Sequence, residues 1–179
     1  MIDMDRNTIG KRVTLPYVKT PWEDMSYVGK CKGYEVYLDK LDAELHIFQL
    51  IDPTTESKGG FKVAAEVQLT RSYMGKAYQC SYSQVDSKYQ GQGLAYYAYK
   101  FIMRWGYVLE AGHSQSKGSR KLWWRLSKDR NVQMIAKEKY SREGWIMPER
   151  DNKNKELKSD FFDIYEGAKE VNVYAYMVQ

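Results

Sequence analysis

The sequence contains few of the residues from which metal centres and disulfide frameworks are built. Its 179 residues include two cysteines, Cys31 and Cys80, which stand far apart and lack metal-ligand spacing. We therefore expect both to be reduced core or strand residues of a cytoplasmic protein rather than partners in a disulfide. There is no H-E-x-x-H motif either, so no metal site is expected.

Long apolar runs are also missing from the chain. No stretch approaches the length of a membrane span, and residues 1–12 lack the apolar core of a signal peptide. Neither a G-x-x-x-x-G-K-S/T loop nor a G-x-S-x-G motif occurs. We therefore expect no membrane partner, no nucleoside-triphosphate loop and no serine-hydrolase triad.

What the chain has in quantity is apolar and aromatic side chains. Hydrophobic residues make up 43% of the sequence and 16 residues are tyrosine, which suits one folded domain with a proper core. The formal net charge of +5 favours acidic partners. Basic residues cluster at 117–130, where cofactor phosphates and a solvated helix face are both open explanations. Nucleic acid is a possible partner that no interleaved basic–aromatic motif supports.

Alternation of apolar and polar residues predicts an antiparallel meander in the first half of the chain. The predicted strands are residues 34–38, 45–50, 61–69 and 78–85. A polar loop is predicted at 52–60, between the second and third of these strands. Residues 1–30 are predicted to be an irregular segment that precedes a single domain, residues 31–179.

Helical and strand patterns alternate in the second half. The predicted elements are a helix at 94–105, a strand at 107–111, a helix at 119–126, a strand at 132–136 and a terminal strand at 171–177. A polar, exposed insertion is predicted near 148–160.

The most informative segment, Gln90-Gly91-Gln92-Gly93-Leu94-Ala95, joins a predicted strand to a predicted helix; we call residues 90–95 the glycine turn. Glycines allow close approach of the backbone to a ligand, and the first N–H groups of a helix lack intrahelical partners. Such a turn can hold a pyrophosphate without a metal. A tight turn without any ligand is the alternative. The dinucleotide fingerprint G-x-G-x-x-G fails, because Tyr96 stands at its third glycine.

The glycine turn fits the pattern Q/R-x-x-G-x-G/A at all three specified positions, Gln90, Gly93 and Ala95, and it resembles the acetyl-CoA-binding signature of the GNAT acyltransferase superfamily. A second block, residues 106–126, resembles the strand and helix along the pantetheine arm in a divergent branch common in bacteriophage genomes. The resemblance covers roughly residues 60–137 and implies an α+β GNAT fold with a mixed, largely antiparallel twisted sheet flanked by helices. The first strand of that fold and the two helices after it have no recognisable counterpart here, which leaves the acceptor-site wall in doubt.

The resemblance implies acetyl-CoA as the cofactor and an amine on a small molecule or a protein as the acceptor. The residues implied in cofactor binding are Val85, Gln90, Gly91, Gln92, Gly93, Leu94, Ala95 and Ser116. Ser116 also suits the N-cap of the second helix. Trp123 stands where many members carry a tyrosine that protonates the leaving thiolate, and an indole cannot act as an acid.

Three residues are candidates for the proton-transfer chemistry. Family members often place a glutamate on the strand before the glycine turn, but residues 78–85 contain no carboxylate. His113, after the predicted strand 107–111, is of a residue type whose unperturbed pKa suits base work, although the pattern favours an exposed loop histidine. Glu66 is an alternative base that is also typical of a solvated sheet face. Tyr140 is a candidate for the missing acid, and a water-mediated base is open as well.

Three functions therefore remain open from the sequence, and the third of them is a protein that acts on nucleic acid, which the basic charge and the many aromatic residues suggest. The first is an acetyl-CoA-dependent N-acetyltransferase, which the intact glycine turn favours. The second is a catalytically inactive GNAT-fold protein that binds or inhibits another molecule, such as a host macromolecule of a phage. The missing tyrosine and glutamate favour this second function. The oligomeric state and the acceptor are not predicted.

Overall fold

The computed structural model describes residues 14–18, 25–57, 60–72, 76–112, 116–138, 144–146 and 171–178. Within these ranges the chain forms an α+β structure of ten strands, two α-helices and a turn of 3-10 helix at Ser87–Tyr89. The strands are β1 (Tyr17–Val18), β2 (Ser26–Cys31), β3 (Tyr34–Lys40), β4 (Leu45–Ser57), β5 (Gly60–Arg71), β6 (Ala77–Val85), β7 (Val108–Glu110), β8 (Val132–Glu138), β9 (Gly144–Ile146) and β10 (Val171–Met177). The helices are α1 (Leu94–Arg104) and α2 (Lys117–Ser127).

All ten described strands belong to one mixed sheet. Its order is β2-β3-β4-β5-β6-β7-β10-β8-β9, and β1 pairs with β5 off this path. Every described pair is antiparallel except β6 and β7, which run parallel. Parallel neighbours need a crossover connection, and α1 supplies it. The expected α+β class and the mixed, largely antiparallel sheet are thereby confirmed.

The two helices share one apolar core with one face of the sheet. The buried members of this core on α1 and α2 are Leu94, Ala98, Tyr99, Ile102, Met103, Trp123 and Leu126. The α1 residues recur at intervals of three and four, which is the spacing of one helix face. Phe48, Val67 and Leu109 belong to the same core. Because side chains alternate along a strand, the residues between them point to the opposite face.

Two expectations about irregular chain are wrong. Residues 17–18 and 26–31 form β1 and β2 inside the segment predicted to lack structure. Lys32 and Gly33, with φ of 53° and 88°, make the two-residue turn of a β2–β3 hairpin. Strand β4 runs through the predicted polar loop to Ser57, which pairs with Gly60 of β5 after a register shift that follows Asp52. The predicted insertion at 148–160 lies outside the described residues.

Cys31 and Cys80 are strand residues, as predicted, and both thiols are free. Burial raises the pKa of the Cys80 thiol to about 12 despite a hydrogen bond with Tyr99, so this thiol is protonated at neutral pH. Among the residues that the structure describes, no helix has both the length and the apolar character that crossing a bilayer requires.

Candidate functional site

Strand β6 leads directly into the glycine turn, and its end is marked by a change of partner. The β5–β6 ladder finishes at Val85, after which the Asp86 N–H donates to the Ala64 carbonyl at 2.9 Å. One residue earlier on β5, the Val63 N–H donates to the Pro16 carbonyl at 3.2 Å. From there β1, and no longer β6, is the strand beside β5. The chain beyond Val85 is therefore released from the sheet to form the turn.

A buried ion pair fixes the entrance to the turn. Lys62 Nζ lies 2.9 Å from Asp86 Oδ2, and these side chains are 6% and 3% exposed. The same carboxylate accepts the N–H of Leu15 at 2.8 Å and that of Lys88 at 3.0 Å. Burial alone would raise the pKa of the Asp86 carboxyl, but the bonds from Lys62 and the two N–H groups hold it below its ordinary value. The ionised carboxylate thus joins β5, the segment before β1 and the turn.

The turn itself ends in left-handed backbone. Tyr89 supports its first half, since its hydroxyl donates to Asp52 Oδ2 at 2.7 Å. Gly91 and Gly93 have φ of 81° and 73°. Residues other than glycine adopt this left-handed backbone conformation only with strain. Gly93 is the N-cap of α1, whose first turn has neither a side-chain cap nor an acidic residue. The first N–H groups of α1 are therefore left for an external acceptor.

Two cations lie at this start of α1. The guanidinium carbon of Arg125, on α2, lies 4.1 Å from the centroid of the Tyr96 ring and 5.9 Å from that of Tyr97. Lys32 Nζ, from the β2–β3 turn, lies 4.3 Å from the Tyr97 centroid. Neither cation forms an ion pair with a carboxylate in the described ranges. The helix dipole, the N–H groups and two uncompensated cations together suit an anion such as a phosphate.

Gly93 is the point at which Arg125 meets the turn. A Cβ atom at Gly93 would lie 2.8 Å from Nη1 of Arg125, whereas a Cβ atom at Gly91 would meet nothing within 4 Å. The absence of a side chain at position 93 thus allows the guanidinium to approach the backbone. Arg125 thus lies beside the turn although it is exposed, as Lys117 and Lys121 of the same basic cluster are.

Asp129, two residues after α2, forms a hydrogen bond with Tyr96, whose ring contacts the Arg125 guanidinium. Its carboxylate lies 2.5 Å from Lys100 Nζ and accepts the Tyr96 hydroxyl. Burial opposes ionisation, but the bonds from Lys100 and Tyr96 lower the pKa of Asp129 to about 2. Burial and the bond to Asp129 raise the pKa of Tyr96 to about 12. The Tyr96 ring is therefore anchored from both helices.

Beside the turn, the parallel strands β6 and β7 part. Their ladder contains three pairs and ends where Gln79 faces Glu110, whereas β6 continues to Val85 with β5 as its neighbour. The register of β5 and β6 shifts at Ser81, which is bulged. Strand β6 has two edges, and from Cys80 to Val85 one of them pairs with β5. Within the described ranges, the other edge of this stretch has no strand beside it. We call this gap the strand opening.

Two residues of the second block have clear structural roles. Ser116 is the N-cap of α2, as predicted, because its hydroxyl oxygen accepts the Ser119 N–H at 3.1 Å. Trp123 is fully buried, and its ring packs edge-on against Tyr99 with centroids 5.9 Å apart. Trp123 is thus a core residue at the position where the resemblance expects an acid.

Of the three candidates for proton transfer, Glu66 alone lies in the described part of the chain. Glu66 Oε2 accepts the Gln49 side-chain amide at 2.7 Å, and its Oε1 accepts that of Gln68 at 2.9 Å. These bonds fix the carboxylate on the face of β5 opposite the helices. His113 and Tyr140 both lie outside the described residues.

Sequence reasoning missed three groups at this site: Lys32, Lys62 and Asp86. The Lys32-Gly33 pair between alternating residues was a usable hairpin signal. Lys62 alternates with apolar residues, a pattern that gives no sign of burial, and yet its side chain is 6% exposed. Its partner is 24 positions away, and no local pattern links them.

His46 supplies a pH-dependent contribution to stability away from the turn. Its ring stacks on Tyr78 with centroids 4.8 Å apart, and Nδ1 lies 2.8 Å from the Tyr107 hydroxyl. Burial lowers the pKa of His46 below its ordinary 6.5, Lys40 adds to this, and Asp42 opposes it. The unfolded chain therefore binds more protons just below that value, so stability falls as the pH drops through this window.

We predict that His46→Gln, which keeps an acceptor for Tyr107, flattens this dependence. Chemical denaturation at about pH 7.5 and about pH 5.5 measures it in both proteins. The native chain should lose more stability between these two conditions than the variant. Equal losses would show that His46 is not the group responsible.

Comparison with known proteins gives no independent indication of function. No protein-family model, curated protein or solved structure matches this chain. A function is therefore argued from the glycine turn, its cations and the strand opening.

Proposed function

We propose that this chain is an acetyl-CoA-dependent N-acetyltransferase with a GNAT-like fold. One observation carries the proposal: strand β6, an uncapped glycine turn and helix α1 adjoin both a pair of cations and a gap between parallel strands. The order of the elements from β3 onward supports the same fold, since four antiparallel strands precede α1, β7, α2 and the last strands.

The diphosphate of acetyl-CoA fits the start of α1. It requires hydrogen-bond donors and positive potential, and the N–H groups of residues 90–95 provide the donors. Arg125 and Lys32 provide the positive charge at Tyr96 and Tyr97. Gly91 leaves the backbone open, since nothing lies within 4 Å of where its Cβ would be, and at Gly93 the Arg125 guanidinium lies against the backbone, where it would share the phosphate with the N–H groups. Gln90 and Gln92 contribute no charge.

The pantetheine arm fits the strand opening. The edge of β6 from Cys80 to Val85 presents backbone N–H and C=O groups without a neighbouring described strand, and an amide-containing arm can pair with such an edge. The bulge at Ser81 turns its N–H away from the regular ladder, where it suits the thioester carbonyl. Acetyl-CoA is a substrate that supplies the activated acyl group. The protein supplies alignment with the amine and N–H groups for the developing negative charge.

A catalytically inactive binding protein is the second candidate. The burial of Trp123 favours it, because the position expected to hold a catalytic tyrosine is part of the core. The two candidates share the cofactor site and differ in turnover. Release of CoA thiol from acetyl-CoA in the presence of amines therefore separates them.

Calorimetric titration with acetyl-CoA tests the cofactor site. We expect the native chain to bind and Arg125→Gln to weaken binding about tenfold, the size of one charge-assisted hydrogen bond reduced by exposure. Lys121→Gln is the matched control, since it removes the same charge from an exposed position on α2. Binding that is equal in all three proteins would remove Arg125 from the site, and no binding to the native chain would contradict the proposal.

A further inference from the structure

A line of cations and aromatic rings begins at the 3-10 turn that precedes the glycine turn. Lys88 Nζ lies 5.2 Å from the centroid of the Tyr89 ring, and this ring packs edge-on against that of Tyr34, with centroids 5.8 Å apart. Tyr34 begins β3, directly after the hairpin turn that carries Lys32. Lys32 in turn lies over the ring of Tyr97. The line thus passes from the 3-10 turn over the β2–β3 hairpin to α1.

The same line continues from α1 to the end of α2. The rings of Tyr96 and Tyr97 meet edge-on with centroids 5.3 Å apart, and the Arg125 guanidinium lies over Tyr96. Lys128, one helical turn after Arg125, has its Nζ 4.3 Å from the ring of Trp124. We call the whole line, which ends at Lys128, the basic–aromatic path.

The cations of the basic–aromatic path remain available to phosphates. All four are exposed, and within the described ranges none of them forms an ion pair with a carboxylate. Acidic side chains along the path are bound to other groups: Asp86 to Lys62, Asp129 to Lys100, and Asp52 to the Tyr89 hydroxyl. Exposed positive charge therefore accompanies the rings from one end of the path to the other.

We propose that the basic–aromatic path binds single-stranded nucleic acid, with phosphates at the cations and bases at the rings. The rings of Tyr34, Tyr97 and Trp124 are partly exposed. Unpaired bases stack on such rings and on guanidinium planes, and a basic surface follows the strand's phosphates. A duplex or an acidic peptide offers negative charge without free base faces, so it uses only half of this surface. The interleaving of basic and aromatic residues that no segment of the sequence shows is thus formed by the fold.

The inference goes beyond the proposed function and does not require it. Arg125 and Lys32 belong both to the path and to the proposed diphosphate site, whereas Lys88 and Lys128 lie at the two ends of the path. Variants at these ends therefore test the binding of a strand by itself. A bound strand that contacts both ends has to pass over the start of α1.

Fluorescence anisotropy with labelled oligothymidine and oligouridine of about twelve nucleotides tests the proposal. We expect binding whose logarithm falls with the logarithm of salt concentration at a slope of about −3, which is about 0.7 for each of four phosphate contacts. Lys88→Gln and Lys128→Gln should each make the slope less steep by about 0.7. Lys76→Gln is the matched control, because Lys76 is exposed at the opposite end of β6. A preference between the two strands identifies the partner as DNA or RNA.

Tyr97→Leu separates stacking from charge. The loss of one stacking ring should weaken binding about tenfold and leave the salt slope unchanged. Tyr97→Phe keeps the ring and should bind as the native chain does. The exposed lysine variants keep the test decisive should Tyr97→Leu not fold.

Three results would overturn the proposal. They are no binding of either strand at about 50 mM salt, equal affinity for a duplex or for polyglutamate, and the native salt slope in both Lys88→Gln and Lys128→Gln. Every measurement is made without acetyl-CoA. A chain that binds the strands and not acetyl-CoA therefore contradicts the proposed function alone, and the reverse result contradicts this inference alone.

Discussion

Asp86→Asn is expected to lower the free energy of unfolding by about 3–5 kcal/mol, the cost of breaking a buried ion pair by removing one partner. The substitution leaves the Lys62 ammonium buried without its counter-charge, and it weakens the acceptor for the Leu15 and Lys88 N–H groups. Denaturant unfolding followed by circular dichroism gives the difference. Asp86 begins the short segment that leads into the glycine turn, so acetyl-CoA affinity should fall in the same variant.

Glu44→Gln is the matched control for this experiment. It breaks the Arg71–Glu44 pair, whose atoms are 3.9 Å apart and whose side chains are 47% and 64% exposed. A pair of this kind contributes at most about 1 kcal/mol. Similar effects of the two substitutions would show that the Lys62–Asp86 pair does not hold the entrance to the turn.

Gly93→Val is expected to abolish acetyl-CoA binding, with a loss of at least about a hundredfold because it removes two contributions together. A β-branched residue is strained at φ of 73°, and its Cβ would displace Arg125 from 2.8 Å. The side chain would also block the approach of a phosphate to the N–H groups of α1. Left-handed backbone at a residue with a Cβ lowers the free energy of unfolding by a further ~1–2 kcal/mol.

Gly91→Val provides the comparison. Its φ of 81° imposes the same kind of strain, but a Cβ at position 91 would meet nothing within 4 Å. Both variants should therefore lose similar stability, whereas Gly93→Val alone should move Arg125. In an Arg125→Gln background, Gly93→Val should reduce affinity by less than it does in the native chain, because part of its effect is already gone. Full additivity of the two substitutions would contradict a shared site.

The elements next to the glycine turn were the most predictable from sequence. Alternation over residues 61–69 and the helical spacing from Leu94 are strong local signals, and the structure has β5 and α1 there. The β2 strand was missed because its pattern is interrupted by Gly29, whose φ of 134° accompanies a register shift. A Cβ at Gly29 would lie 3.3 Å from the Phe101 ring on α1. Gly29 therefore leaves room for the Phe101 ring, and a short stretch of sequence around Gly29 does not reveal this contact.

The site was predictable only in its backbone part. Two glycines before a helix indicate an anion-binding turn, and Ser116 indicates a cap, since both signals are local. The position of Arg125 over Tyr96 depends on how α2 docks on α1, and residues 29 positions apart carry no mutual signal. The strand opening follows from the parallel pairing of β6 and β7, which only the fold reveals.

A crystal structure of the chain with acetyl-CoA tests the central claim most directly. The account predicts electron density for the diphosphate against the N–H groups of residues 90–95, within reach of Arg125, and for the pantetheine arm along β6 from Cys80 to Val85. The acyl group should end near Ser81. Density for acetyl-CoA at another surface, or an empty glycine turn in crystals grown with saturating acetyl-CoA, would contradict the account.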